Sequence, residues 1–364
     1  MTETIHVLCR TRPTVRLAAG ALTALALLPG CAADPPPRPE GAPSPLYGGS
    51  GTNGLIAGRT YLDSEKQTSA VFTVAPDGSG LHQVTKPDPN TLDDHPDWSP
   101  GGTAIAFDRT IANGTARIWT IAPDGSAARQ LPAVCQEGDP SCAVEDESAP
   151  AYSPDGSRIA FSRGWGALDT SADQIQYSDI YVMDATGANP RRLTTLTQDQ
   201  PYAGDVDDPA WSPDGSRLVF SFRTGDSGRP SDSRALFIVN GDGSGLRQLT
   251  PWDLGAGDRA NWSPDGSRIV FTTYPPGPDA APGGGIYTIN PDGSGTTTLL
   301  SGSPDVFYGV PSYAPDGTAI AFAKATLPGQ ADIFTMHPDG TAVTPVTRTA
   351  DTWESRPNWG TATP

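Results

Sequence analysis

The sequence predicts an all-β ring of repeated four-stranded units, a β-propeller, and three observations predict it. First, an aromatic residue is followed nine positions later by phenylalanine in five places: Trp98 and Phe107, Tyr152 and Phe161, Trp211 and Phe220, Trp262 and Phe271, Tyr313 and Phe322. Second, an aromatic residue is followed six positions later by glycine in six: Phe72 and Gly78, Trp119 and Gly125, Tyr181 and Gly187, Phe237 and Gly243, Tyr287 and Gly293, Phe334 and Gly340. Third, Gly (41) and Pro (38) make up about a fifth of the 364 residues and recur in fixed phrases, which marks many short strands joined by turns.

In chain order, the first thirty residues stand apart. "CRTRPTVR" carries three arginines and precedes the apolar run "LAAGALTALALLPGC", which ends in small residues at Cys31. This is the pattern of an export signal, and the run from Leu17 to Leu28 is short for a bilayer span. "LPGC" resembles a bacterial lipobox, which implies cleavage before Cys31, a lipid on its thiol and a membrane anchor. Ordinary cleavage nearby, without lipid, is the alternative that Pro29 leaves open. Residues 31–53, rich in Pro, Gly and Ser, cannot form a core and read as a tether.

The folded part is expected over residues 54–364. "LIAGRT", "VFTVAP" and "HQVT" read as three strands of a first unit that lacks its leading strand. Each later unit begins with strand A, ending in Trp or Tyr, and turns through Ser/Ala-Pro-Asp-Gly or a close variant. There Pro presets φ, Asp bonds its own backbone and Gly takes a positive φ. Strand B carries the phenylalanine, strand C is apolar, and a second Gly turn leads to a short polar strand D ending in "QVT", "RLT", "QLT" or "PVT". Such units cannot bury their faces alone, and stacking them side by side makes a propeller. Strand A recurs at Trp98, Tyr152, Trp211, Trp262, Tyr313 and Trp359, and the last has no strand B after it. "SRPNWGTATP", residues 355–364, is therefore expected to complete the first unit, giving a monomeric ring of six antiparallel blades closed by the C-terminal strand.

"WSPDGSRIVF" with "IYTINPDGSG" resembles the Pro-Asp-Gly repeat of the TolB-type six-bladed propellers, over residues 54–364. The resemblance implies the ring. It does not carry over a Tol-Pal role, because the α/β domain that precedes the propeller in TolB itself has no room in Ala32–Gly54. Dipeptidyl peptidases join such propellers to a hydrolase domain, and the sequence holds no G-x-S-x-G nucleophile elbow.

Charge and cysteines bound the partners. Residues 1–30 hold three arginines and one glutamate, so the remainder carries 21 basic and 40 acidic side chains, a net charge of −19. That charge repels nucleic acid and favours cations, basic peptides or neutral glycans. Cys135 and Cys142, seven residues apart in a polar loop, read as a disulfide in an exported protein; no second Cys or His pair at ligand spacing supports zinc.

The A–B and C–D turns keep constant lengths and share one end of a propeller, whereas the B–C and D–A loops vary and share the other, where function is expected. Acidic residues cluster there ahead of each strand A: Asp94 with His95, Glu147, Asp207 with Asp208, Asp258 and Glu354. They are expected around the mouth of the central channel. Carboxylates in such a ring suit a calcium ion, with Asp94, Asp207 and Asp258 as candidate ligands, or the basic groups of a peptide, or are solvated loop charges. Trp165, Tyr202, Trp252, Tyr308 and Trp353 fall on the same end, either as a sugar- or peptide-binding surface or packed beneath their loops. No residue is assigned a catalytic role. The leading expectation is a membrane-tethered extracytoplasmic binding or scaffold propeller for an envelope protein, peptide or glycan; the alternative is a metal-dependent hydrolase, lactonase or lyase.

Overall fold

A computed structural model describes residues 52–111, 114–132, 146–165, 177–196, 203–226, 233–274, 284–326, 329–350 and 352–363. Cys31, the signal and nearly all of the tether, Cys135, Cys142, Tyr202 and the side chain of Trp165 lie outside the described residues. Among those described, no helix is long and apolar enough to cross a membrane.

The described residues hold twenty-four strands, which form six four-stranded antiparallel blades. Blade 1 holds β1 (Asn53–Tyr61), β2 (Ser69–Val74) and β3 (His82–Gln83), with β24 (Glu354–Thr361) as its strand A. Blade 2 is β4 (Leu92–Trp98), β5 (Ile105–Thr110), β6 (Ala116–Ile121) and β7 (Arg129–Gln130). Blade 3 is β8 (Asp146–Tyr152), β9 (Arg158–Trp165), β10 (Tyr177–Asp184) and β11 (Arg191–Arg192). Blade 4 is β12 (Ala203–Trp211), β13 (Arg217–Asp226), β14 (Ser233–Asn240) and β15 (Arg247–Gln248). Blade 5 is β16 (Ala256–Trp262), β17 (Ile269–Thr273), β18 (Gly285–Ile289) and β19 (Thr297–Leu300), and blade 6 is β20 (Val306–Tyr313), β21 (Ile320–Thr326), β22 (Gln330–Met336) and β23 (Thr344–Pro345). Successive strands A touch around the ring, and β24 touches both β20 and β4. One parallel bridge, Ser69 to Leu92, joins blades 1 and 2 within a single sheet.

The repeated phrases each have a local cause. In blade 4, Ser212 N–H donates to Arg217 O at 2.8 Å and Asp214 Oδ1 accepts from Ser216 N–H at 3.0 Å, while Gly215 adopts a φ of 68° that a side chain would strain. The threonine ending "LT" or "VT" after strand D also has a role. Thr85, Thr194, Thr250 and Thr347 each accept through Oγ1 a strand C N–H, at 2.9, 3.0, 2.9 and 2.9 Å, which pins strands that are only two residues long.

The strand B phenylalanines Phe107, Phe161, Phe220, Phe271 and Phe322 are fully buried, each worth roughly 1.5–3 kcal/mol of transfer free energy. Apolar clusters span blade boundaries; Ala151, Ile180 and Val182 of blade 3 pack with Trp211, Phe220 and Val239 of blade 4. A blade therefore borrows part of its core from its neighbour. Closure follows the same rule. β24 pairs with β1 with Trp359 opposite Ile56, and Trp359 packs among Ile56, Phe72, Val74 and Ala321 while its Nε1 donates to Gly54 O at 3.2 Å.

Every strand A is also interrupted by a register shift a few residues before its aromatic. The residue three places before the aromatic takes a left-handed φ each time: His95 47°, Ala149 49°, Asp208 53°, Arg259 52°, Val310 49° and Arg356 55°. A bulge of this kind bends the strand and re-aims its side chains. This sixfold device decides what lines the channel.

Candidate functional site

A cavity of about 110 Å³ lies on the channel among the strands A, with His95, Asp97, Asp208, Arg259 and Asn358 contributing polar groups to its wall. His95, Asp208 and Arg259 arrive from the left-handed positions, and Arg356, from the same position in β24, adjoins them. Asp208 is the hub. Its Oδ1 lies 3.4 Å from Arg356 Nη1 and 3.8 Å from His95 Nε2, and its Oδ2 accepts Arg259 N–H at 3.2 Å. His95 Nδ1 sits 2.7 Å from Asp108 Oδ1, an oxygen that also accepts Ala149 N–H at 3.1 Å, so the imidazole is oriented across two blades.

Arg259 is buried and spans the channel, donating from Nη2 to Pro96 O at 2.6 Å and from Nη1 to Arg356 O at 3.1 Å. Burial pushes its pKa down, opposed by Asp97 and Asp208. Asp97 accepts Tyr152 N–H at 2.8 Å and Asn358 Nδ2 at 2.9 Å; burial nevertheless pushes it up to about 6, against the opposing pull of Arg259, whose Nη2 stands 3.8 Å away.

The residues expected at the mouth divide into three groups. Asp207, Asp208 and His95 are brought together, with ligand atoms within 4.8 Å of one another. Asp94 and Asp258 are held apart from that cluster by cations. Asp94 is clamped between Arg59 and Arg356, the latter at 3.2 Å, and Asp258 binds Arg234 at 2.5 Å and the Tyr274 hydroxyl. The set Asp94, Asp207 and Asp258 is thus not the group that converges. Glu147 and Glu354 do not line the cavity. They sit two residues nearer the strand start and find partners elsewhere: Glu147 meets Arg163, its strand B register partner, at 2.5 Å within its own blade, and Glu354 accepts from Thr349 Oγ1, on the loop leaving blade 6, at 2.9 Å. Burial raises the Glu354 pKa.

The described loop aromatics pack. Trp252 lies edge-on to Phe222 and Phe237 at 5.8 and 6.0 Å, and Tyr308 is edge-on to Phe322 at 6.0 Å. Trp353 is 5% exposed, with the Lys66 ammonium 3.5 Å from its ring centre. Arg259, Arg356, Asp97 and Asn358 were not among the expected site residues. Aligning "DHPDW", "DDPAW", "DRANW" and "SRPNW" on the tryptophan would have placed all four in two columns.

Chemically, the arrangement places arginines, carboxylates, an imidazole and an amide together, held by links between blades. On the His95, Asp207 and Asp208 side, an imidazole and two carboxylates could share a cation.

No family model matches the chain. It is 30% identical over 137 residues to an uncharacterized peptidase of Bacillus subtilis, covering 37% of this chain and 18% of that protein. It is also 30% identical over 190 residues to an uncharacterized protein of Agrobacterium fabrum, covering 48% and 53%. The chain thus spans less than a fifth of one curated relative and about half of the other. Among solved structures, TolB from Acinetobacter baumannii superimposes with a TM-score of 0.61 at 17% identity, over 88% of this chain and 68% of that one. Hydrazine synthase of Kuenenia stuttgartiensis gives 0.65 at 14% identity, over 88% and 48%. A chain of a nidogen/laminin complex gives 0.58 at 12% identity, over 84% and 98%. At these identities the likeness shows the fold, a TolB-type propeller.

Proposed function

We propose that the protein is a lipid-anchored, extracytoplasmic binding propeller whose partner, an envelope protein, peptide or glycan, docks on the end of the ring where strands A begin. One observation carries this reading. The channel carboxylates Asp94, Asp208 and Asp258 are each fixed by arginines, in all three cases from another blade, so the polar rim is pre-organised and binding costs it little ordering. A propeller of the same shape occurs in the nidogen/laminin complex, which supports a docking role for such a ring.

Asp207 is a half-buried member of the rim and accepts the N–H of Asp208 at 2.9 Å, so it is a residue to test. Asp207→Lys is expected to lose partner capture from an envelope extract while the melting temperature stays within a few degrees. Full capture by the variant would overturn the assignment of this end. Cys31→Ser should move the protein from the membrane to the soluble fraction, and retention would count against the anchor.

The grouping of His95, Asp207 and Asp208 favours a second reading, a metal-dependent hydrolase, lactonase or lyase. An imidazole with two carboxylates suits a transition metal better than calcium, which prefers six to eight oxygens. Arg356, 3.4 Å from Asp208, opposes any cation there. Stoichiometric metal in the purified protein with chelator-sensitive turnover would place this reading first.

A further inference from the structure

The wall of the channel carries a belt of side-chain acceptors that is broken in two places. The residue just before the strand A aromatic accepts the N–H of the next blade's aromatic at four junctions. Asp97 serves Tyr152 at 2.8 Å, Asn261 serves Tyr313 at 3.0 Å, Ser312 serves Trp359 at 3.2 Å and Asn358 serves Trp98 at 2.9 Å. At the other two junctions that residue is Ala151 or Ala210, whose methyl groups accept nothing, so Trp211 and Trp262 lack the side-chain acceptor their counterparts have. The indole groups do not follow the belt: Trp262 Nε1 donates to Ala210 O at 3.2 Å, whereas Trp211 Nε1, like Trp98 Nε1 at an unbroken junction, is buried and without a partner among the described residues.

Both breaks open on the channel cavity, whose wall includes Ala151, Ala210 and Trp211 together with Asp97, Asp208 and Arg259. Buried main-chain donors are nearly always paired, so an acceptor is expected to come from outside the chain. Its charge is restricted. An anion would enter beside Asp97 and Asp208, and Arg259, the nearby cation, already serves two main-chain carbonyls. A cation would face the N–H groups. A carboxamide meets both demands, since its oxygen accepts from N–H and its NH₂ donates to carboxylate. Asn358 already makes this pair of bonds one junction away, accepting from Trp98 N–H and donating to Asp97 Oδ1 at 2.9 Å.

We propose that the gap in the belt at Ala151 and Ala210 is a seat for a primary carboxamide on a ligand that reaches into the channel. The seat is defined by the belt alone and does not depend on what docks at the rim. The test is an NMR titration of protein labelled with ¹⁵N-tryptophan, with acetamide as the probe. The main-chain amide signals of Trp211 and Trp262 should shift saturably in the millimolar range, and acetate or methylammonium should bind at least about tenfold more weakly.

Ala151→Asn with Ala210→Asn fills the gap from within, on the precedent of Asn358 and Asn261. This double variant should lose the acetamide response and melt higher than the parent. The corresponding double serine variant, on the precedent of Ser312, should lose the response as well and keeps the test usable where asparagine does not fit. Absence of a saturable shift with acetamide, as expected of a cavity that holds water only, would overturn the proposal. So would a shift that persists in both variants. Capped Gly-Gln-Gly binding better than acetamide would assign the seat to a peptide side chain; acetamide binding better than the tripeptide would assign it to a small free amide.

Discussion

Asn358 Oδ1 accepts the main-chain N–H of Trp98 at 2.9 Å, across 260 residues of chain. The same side chain donates to Asp97, which in turn accepts the N–H of Tyr152, so three blades are tied by two side chains. Asn358→Ala removes one acceptor and one donor from a buried belt. It should cost about 1–3 kcal/mol, read as a shift of the denaturant midpoint at unchanged slope. A neutral outcome would mean that water replaces the amide.

The ring closure is tested at Trp359, which is 8% exposed and packs across the seam between blades 6 and 1. Trp359→Ala should lose roughly 3–5 kcal/mol, and deletion of residues 353–364 should abolish cooperative thermal unfolding. Unchanged melting in the deletion would show that the last strand contributes nothing to closure.

Arg163 and Glu147 form a pair in which each side chain is 2% exposed, with the guanidinium 5.3 and 4.9 Å from the ring centres of Phe161 and Tyr181. Removing one charge strands the other in the blade. Arg163→Met is therefore expected to cost about 3–5 kcal/mol, and adding Glu147→Gln should recover much of it, since a buried pair roughly balances its own desolvation. Chemical denaturation of the two single variants and the double variant measures the coupling directly.

Two sets of aspartates pull the pH profile in opposite directions. The Ser153 hydroxyl and Ser157 N–H hold the turn residue Asp155 down to about 2, and Asp242 and Asp292 are lowered by Ser244 and Ser294. Their stabilisation is complete above the ordinary carboxyl pKa of 3.8 and is lost as the pH falls below it. Burial instead pushes Asp146 and Asp97 up to about 6, so their contribution is complete at low pH and lost as the pH rises from about 4 to 6. Thermal stability should peak near pH 4. Asp146→Asn keeps the acceptor for Ala116 N–H, at 2.8 Å in the parent, and should flatten the decline between pH 4 and 6.

The sequence made the ring legible because its signals are local. The nine-residue spacing from Trp211 to Phe220 is a hairpin, and the solitary Trp359 implied a missing partner strand, which β1 supplies. The channel was only half legible. His95 and Asp208 were found as members of acidic clusters, but Arg259 and Arg356 were missed because acidity was the property sought. Glu147 and Glu354 do not line the cavity for a different reason. The expectation set every acid near the start of strand A at the mouth, whereas the bulge two residues after each of these acids re-aims the side chains along the strand. The packing of Trp252 and Trp353 depends on contacts with distant residues that no local pattern encodes.

The left-handed residue of each strand A has one more consequence. Read around the ring, the six positions spell His, Ala, Asp, Arg, Val and Arg, one letter per blade. The bend is set by strand pairing and the apolar wall by the aromatic three residues on, so the letter and the scaffold are chosen largely apart. The channel is in effect a six-character address that can be respelled one blade at a time, with asparagine, aspartate and glycine the spellings its backbone accepts most readily.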